Sequence, residues 1–287
     1  MNQDVMAVAG QVTQMLRAEF GQSVAMVQME IQKRREHELS LPRNQDPKRL
    51  LRHGFKTYSQ NDEDGIIEEI FRRIGATDRR FVEFGVTAGI ECNTLKLLVE
   101  GWSGLWLEAS PPPVRQILQT HRAWIEAGKL KVREAFVTAE NINDLLRTSG
   151  MVDEVDLLSV DIDFNDYWVW RAIDVVRPRV VVVEYNPIWR PPMSVTVAYD
   201  ATAIPKSTNY AGASLSALTK LGVQKGYRLV GCSMAGVNAF FVREDLCGAH
   251  FLESATAEEH YEPARHYMRY WHASSAPPAV GPLVLID

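Results

Sequence analysis

The sequence predicts an α/β fold: a doubly wound, mostly parallel sheet of seven strands, the last antiparallel, with a helical extension at the amino end. Three observations predict it. Short apolar runs alternate with amphipathic stretches along the middle of the chain. The first run ends in a turn with two glycines four apart, Gly85 and Gly89. The last two runs stand too close in sequence to be joined by a crossover helix. At 287 residues, 46% hydrophobic and 23% charged, the chain can bury a full core.

From the amino end, Val5, Val8, Val12, Met15 and Leu16 form one helical stripe, and Val24, Val27 and Ile31, beyond Gly21, form a second. Two amphipathic helices over 2–38 need a partner surface, either the body of the same subunit or another copy in a homo-oligomer. Leu41-Pro42-Arg43-Asn44-Gln45-Asp46-Pro47 breaks helicity, so the extension is assigned to 1–45 and the α/β body to 46–287. Ser59 to Asp64 supplies N-cap candidates and first-turn acids ahead of Ile66, Ile67, Ile70 and Phe71. Strands are expected at 80–85, 104–108, 131–137, 156–161 and 179–185, with helices at 91–100, 112–127, 139–148 and 165–175 between them. Repeated β-α crossover means a parallel sheet covered on both faces. The irregular segment 187–210 is too long for a simple connection and is expected to select substrate. A helix carrying Leu215, Leu218 and Leu221 follows. The runs at 227–232 and 237–242 then pair as a hairpin, so the sheet ends with an antiparallel strand. The tail from 273, with Pro277-Pro278 and Pro282, is expected to be extended.

Composition narrows the function classes. A net charge of -5 gives no general reason to bind nucleic acid, although residues 33–56 hold eight Lys/Arg against three Asp/Glu and read as a solvated basic face. Cys92, Cys232 and Cys247 are too few and scattered for a disulfide framework or metal knuckle. The chain has neither signal-peptide layout nor an apolar span of membrane length, and a cytoplasmic protein without a membrane partner is expected. Of the seven histidines, His250, His260, His266 and His272 suit an aromatic-rich helix better than a metal site.

In an open parallel sheet, ligands lie outside the carboxyl ends of the strands, where strand order reverses. Those ends carry Glu83 with its glycine turn, Glu108 with Ser110, Ala135 with Phe136, Asp161 with Asp163, and Glu184 with Asn186. Glu108 lies 25 residues beyond Glu83, the spacing at which a second-strand carboxylate reaches ribose hydroxyls. Through Ser59-Gln60 with Glu63-Asp64, Glu83-x-Gly85-x-Thr87-x-Gly89, Glu108, Ser159-Val160-Asp161-Ile162-Asp163 and Val183-Glu184-Tyr185-Asn186, residues 55–245 resemble the class I S-adenosylmethionine-dependent methyltransferases, in their FkbM-like branch. The resemblance implies a Rossmann-like fold and S-adenosylmethionine as cofactor. It implies that Glu83, Gly85 and Gly89 line the methionine moiety, Glu108 the ribose, and Ala135 and Phe136 the adenine edge, with Gln60, Thr87 and Ser110 also in contact. The sequence departs from the general motif at Thr87, where the middle glycine usually stands. The alternative for Gly85 and Gly89 is plain strand-to-helix packing.

Asp161, Asp163 and Asp166 follow the fourth expected strand, and Glu184 and Asn186 the fifth. Asp161, Asp163, Glu184 and Asn186 are hard oxygen ligands suited to Mg²⁺ or another divalent cation, which would activate an acceptor hydroxyl. Without metal, Asp163 or Glu184 serves as general base. In the bland alternative, Asp161 caps the turn and binds the cofactor, while Asp163 and Asp166 are helix N-terminal charges. Asn186-Pro187-Ile188-Trp189 is similar to the Asn-Pro-Pro-aromatic loop of N-methyltransferases, but follows the fifth strand instead of the fourth.

The expected function is therefore O-methylation of a small polar acceptor such as a sugar or natural-product intermediate, with Asp161, Asp163 and Glu184 as catalytic residues. Two other functions stand beside it. Asp161-Ile162-Asp163 is also the DxD pattern of nucleotide-sugar glycosyltransferases, and a non-catalytic cofactor-binding interaction module would use the amino-terminal helices as its working surface. A short-chain nicotinamide oxidoreductase is disfavoured, since no Tyr is followed four residues later by Lys.

Overall fold

The computed structural model describes residues 25–204, 208–265 and 277–287. The first expected amino-terminal helix lies outside them. Residues 25–40 form a helix, α1, and 3-10 turns at Pro42–Asn44 and Leu51–His53 lead into the body.

The body alternates as expected: α2 (Glu63–Ile74), β1 (Arg80–Phe84), α3 (Leu95–Val99), β2 (Ser103–Glu108), α4 (Pro111–Thr120), α5 (Arg122–Glu126), β3 (Leu130–Glu134), α6 (Ile142–Thr148), β4 (Asp153–Val160), α7 (Asp166–Ala172) and β5 (Val176–Glu184). After a short strand β6 (Val195–Val197) come α8 (Leu215–Gln224), β7 (Tyr227–Cys232), β8 (Asn238–Arg243), α9 (Glu244–Cys247), α10 (Ala257–His260) and β9 (Leu283–Leu285). The sheet order is β3-β2-β1-β4-β5-β8-β7. The first five strands are parallel, and β8 runs antiparallel to both β5 and β7. The order reverses between β1 and β4, which makes their carboxyl ends the crevice where such sheets take ligands.

Period-2 alternation sends successive strand residues to opposite faces. Val82 and Phe84 of β1 join Ile142, Leu146, Val169, Trp170, Leu215 and Leu218 on one side, under α6, α7 and α8. Phe81 joins Ile66, Ile70, Leu98 and Ile117 on the other, under α2, α3 and α4. Among the described residues no helix is long and apolar enough to cross a membrane.

Three expectations are corrected. The helix over 112–127 is two helices, broken at His121, whose ring is buried edge-on to Trp106 with centroids 5.0 Å apart. The third strand ends at Glu134, so Ala135 and Phe136 belong to the following loop. The segment 187–210, expected to be irregular, contains β6, which pairs antiparallel with β9 of the extended tail.

Candidate active site

The turn after β1 is shaped by two left-handed glycines and one left-handed threonine: Gly85 at φ +71°, Thr87 at +47° and Gly89 at +68°. A Cβ on Gly85 would stand 1.8 Å from the Asp161 carbonyl oxygen, so the tips of β1 and β4 touch backbone to backbone. A Cβ on Gly89 would meet the Trp106 ring at 2.6 Å. Both glycines are therefore required by chain packing.

The two strand-tip glutamates have separate roles. Glu83 Oε1 accepts the Asn93 N–H at 2.8 Å and the Ser159 hydroxyl at 3.2 Å, and Oε2 accepts the Thr94 N–H at 3.0 Å and its hydroxyl at 2.5 Å. Four hydrogen bonds fill the carboxylate's acceptor sites, and Trp106 Nε1 donates to the same Thr94 hydroxyl at 2.8 Å. Glu83 thus fastens the start of α3. Burial raises its pKa. Glu108 is less occupied. Oε2 accepts the Thr87 N–H at 2.9 Å and Oε1 the Ser110 N–H at 2.8 Å, so each oxygen keeps capacity for a second donor. Nothing local in the sequence identifies Asn93, Thr94 and Ser159 as the partners of Glu83.

Around this turn, the Ala135 N–H donates to the Glu108 carbonyl at 2.9 Å, and Phe136 stands 42% exposed beside it. Gln60 is exposed, on a loop tied to the glycine turn because Lys56 Nζ donates to the Gln60 carbonyl at 3.2 Å and to Glu91 at 2.7 Å. The acids after Gln60 turn inward. Asp64 Oδ2 accepts the N–H groups of Thr57, Tyr58 and Ser59, and Glu63 Oε1 accepts Asn238 Nδ2 at 3.0 Å.

Beside the glycine turn, Asp161, Asp163 and Glu184 each bring a carboxylate oxygen within 4.8 Å of the others. Asp163 takes the left-handed backbone at φ +63° to reach this position. Burial, then repulsion from Glu184, Asp163 and Asp166, pushes Asp161 well above the ordinary carboxylate range. Asp166 is fully buried: Oδ1 accepts the Ile162 N–H at 2.7 Å, among the described residues Oδ2 has no hydrogen-bond partner, and burial pushes its pKa up to about 7. Asn186 is committed elsewhere. Its Nδ2 donates to the Asn209 and Ala211 carbonyls, both at 2.9 Å, and its Oδ1 accepts the Ile188 N–H at 3.2 Å. It stitches the 187–210 segment, and its Oδ1 is already partly occupied.

That segment forms an aromatic wall. Trp189, Val195 and Val197 pack with Phe164 and Tyr210, whose rings meet edge-on at 5.8 Å. Asn165 and Trp168 hold it from α7 by donating to the carbonyls of Asp200 and Val197, each at 2.8 Å.

The donor sets fit two groups. Three carboxylate oxygens within 4.8 Å match hard-cation coordination. A carboxylate with one free lone pair on each oxygen, at the tip of the second strand, matches a vicinal diol.

No family model and no curated protein matches this chain. Among solved structures, it is similar to the N-terminal domain of EvdMO1 with SAH bound, at 17% identity over 75% of this chain and 94% of that one, TM-score 0.42. The methyltransferase domain of bacterial CtHen1-C is similar at 12% identity, over 64% and 97%, with TM-score 0.40. An O-methyltransferase from Bacillus cereus in complex with SAH is similar at 14% identity, over 56% and 66%, with TM-score 0.32. The fold assignment rests on the strand order and register above, not on these likenesses.

Proposed function

We propose that the chain is an S-adenosylmethionine-dependent methyltransferase of the FkbM-like branch, methylating a hydroxyl of a small polar acceptor with help from a divalent cation. One observation carries the reading: Glu108 binds the Thr87 N–H of the turn whose Gly85 lies against Asp161, so a diol-binding carboxylate and the acidic cluster share one end of the sheet.

Bound S-adenosylmethionine would supply a methyl group already activated on a sulfonium, which leaves the chain mainly a positioning task. Glu108 would accept the ribose hydroxyls, held in place by Thr87 and Ser110. Asp161, Asp163 and Glu184 would hold the cation, which would lower the proton affinity of the acceptor hydroxyl. Without the cation, Asp163 or Glu184 would instead take that proton as general base. The aromatic wall of Phe164, Trp189 and Tyr210 would seat the acceptor.

Titration calorimetry tests the cofactor. S-adenosylmethionine should bind, and Glu108→Gln should weaken it about 10- to 100-fold, the worth of a charged hydrogen bond. Unchanged affinity refutes the assignment of Glu108. A chelator should cut turnover, and Asp163→Ala should abolish the response to added Mg²⁺; turnover indifferent to chelator leaves the carboxylates only the general-base role.

A second reading follows from the presence of both Asp161 and Asp163 in the cluster, which also suits the DxD site of a glycosyltransferase. Binding of a UDP-sugar with Mn²⁺, and none of S-adenosylmethionine, would select it.

A further inference from the structure

The basic run over 33–56, with eight Lys/Arg, is largely dispersed by the fold. Arg43 and Arg49 pair with Glu262 and Glu259, Arg34 with Glu30 at 2.8 Å and Lys56 with Glu91 at 2.7 Å, while Arg35 donates to the Gly54 carbonyl. Lys48 and Arg52 behave differently. Among the described residues neither joins an ion pair, and both line a cleft of about 430 Å³ together with His53, Arg72, Arg73 and His250.

Among the described residues Glu69 is the single carboxylate in that lining, and it is already taken. Arg72 donates to it through Nε at 2.6 Å and Nη2 at 2.7 Å, and Arg73 through Nε at 2.7 Å. Those bonds, Arg72's above all, hold its pKa down to about 2. Four permanent cations against one carboxylate leave a formal charge of +3 with both histidines neutral, on a chain whose net charge is -5.

Arg73 forms the floor. Its Nη1 donates to the carbonyls of Lys48 at 2.7 Å and His250 at 2.9 Å, and its guanidinium lies 5.5 Å from the Phe251 ring centre. Arg72 and Arg73 have a structural reason to be there, since the last turn of a helix favours cations. Arg52 likewise lies in the last turn of its 3-10 helix and donates Nη1 to the Gln45 carbonyl at 3.3 Å, but among the described residues neither it nor Lys48 has a carboxylate partner. Gathering them in a concavity raises the energy of the free protein, and an anion would relieve it.

The cleft is separate from the strand tips. The first turn of α2 reaches the sheet through Glu63 and Asn238, and Asn238 is paired with Glu184. Arg72 lies nine residues further on, roughly 14 Å along the helix at 1.5 Å per residue.

We propose that this cleft is a binding site for a phosphorylated small molecule carrying the charge of a pyrophosphate group. Lys48, Arg52 and Arg72 contact the phosphate oxygens, and the Arg73–Glu69 floor keeps them in place.

The test is calorimetry of the full chain with sodium pyrophosphate at low ionic strength, with citrate as a carboxylate of comparable charge. Saturable binding should be seen, tighter than citrate by at least ~10-fold and weakening as salt rises. Lys48→Glu/Arg52→Glu should lose at least ~10-fold in affinity with an unchanged circular dichroism spectrum; were it to misfold, Arg52→Gln alone supplies the comparison, with a smaller loss in the same direction. Glu108→Gln should bind pyrophosphate normally, which separates this site from the proposed cofactor site. Absence of saturable binding, equal affinity for citrate, or full affinity in a folded Lys48/Arg52 variant overturns the proposal.

Discussion

Glu83 and Glu108 are both carboxylates at strand tips, yet only Glu108 retains acceptor capacity. The difference lies in Asn93, Thr94 and Ser159, which fill Glu83, against Thr87 and Ser110, which half-fill Glu108. Residue type and spacing identify the pair as important, but Ser159 is 76 residues from Glu83, and no local pattern announces that contact. Gly85 raises the same issue in steric form. Its left-handed φ could be read as a turn requirement, whereas the 1.8 Å approach of its absent Cβ to Asp161 exists only in the folded sheet. Gly85→Ala should therefore destabilise the whole domain by about 2–4 kcal/mol, combining backbone strain with a backbone clash. Urea denaturation checks this; a midpoint equal to wild type would mean that the two strand tips can separate freely.

At the scale of elements, long apolar runs and amphipathic stretches were legible because their periodicity is local. Short elements were not. The strands β6 and β9 have three residues each and pair Val195 with Leu285 and Val197 with Leu283, across most of the carboxyl-terminal third of the chain. Further bonds reinforce the pairing: the Ala198 N–H donates to the Pro282 carbonyl at 3.0 Å, the Tyr210 hydroxyl to the same carbonyl at 2.5 Å, and Lys220 Nζ to the Ile286 carbonyl at 2.7 Å. The tail thus braces the segment that carries the aromatic wall. Deleting residues 283–287 should speed limited proteolysis within 187–214 several-fold while the melting temperature falls by only a few degrees, because the main sheet keeps its own core. Proteolysis at the wild-type rate would show that the brace is dispensable. The break of the predicted 112–127 helix at His121 has a similar cause: its apolar stripe is continuous in sequence, and the ring contact with Trp106 comes from another strand.

At the scale of the whole molecule, Asp62 couples α2 to the far end of the sheet. It precedes the first turn of α2, and both its oxygens accept the Met234 N–H at 3.1 Å in the β7–β8 turn. Burial, then the charge of Glu63, pushes its pKa up to about 7. The folded state holds the proton that the unfolded chain releases near pH 4, so this contribution is complete below pH 4 and is lost as pH rises to about 7. Three units correspond to at most about 4 kcal/mol. Asp62→Asn, which keeps an acceptor for Met234, should remove that dependence, so wild type loses stability from pH 5 to pH 8 relative to the variant. Parallel urea midpoints at the two pH values would refute it. By itself the sequence determined the number and direction of the main strands, the hairpin at the end of the sheet and the residues at the strand tips, because periodicity and connection length act over neighbouring residues. Tertiary structure alone decided which tip carboxylates are already hydrogen-bonded, which three gather into a cluster, where Lys48 and Arg52 meet Arg72, and what the tail holds down. Those outcomes depend on donors and charges far apart in the chain, and only folding sets the distances between them.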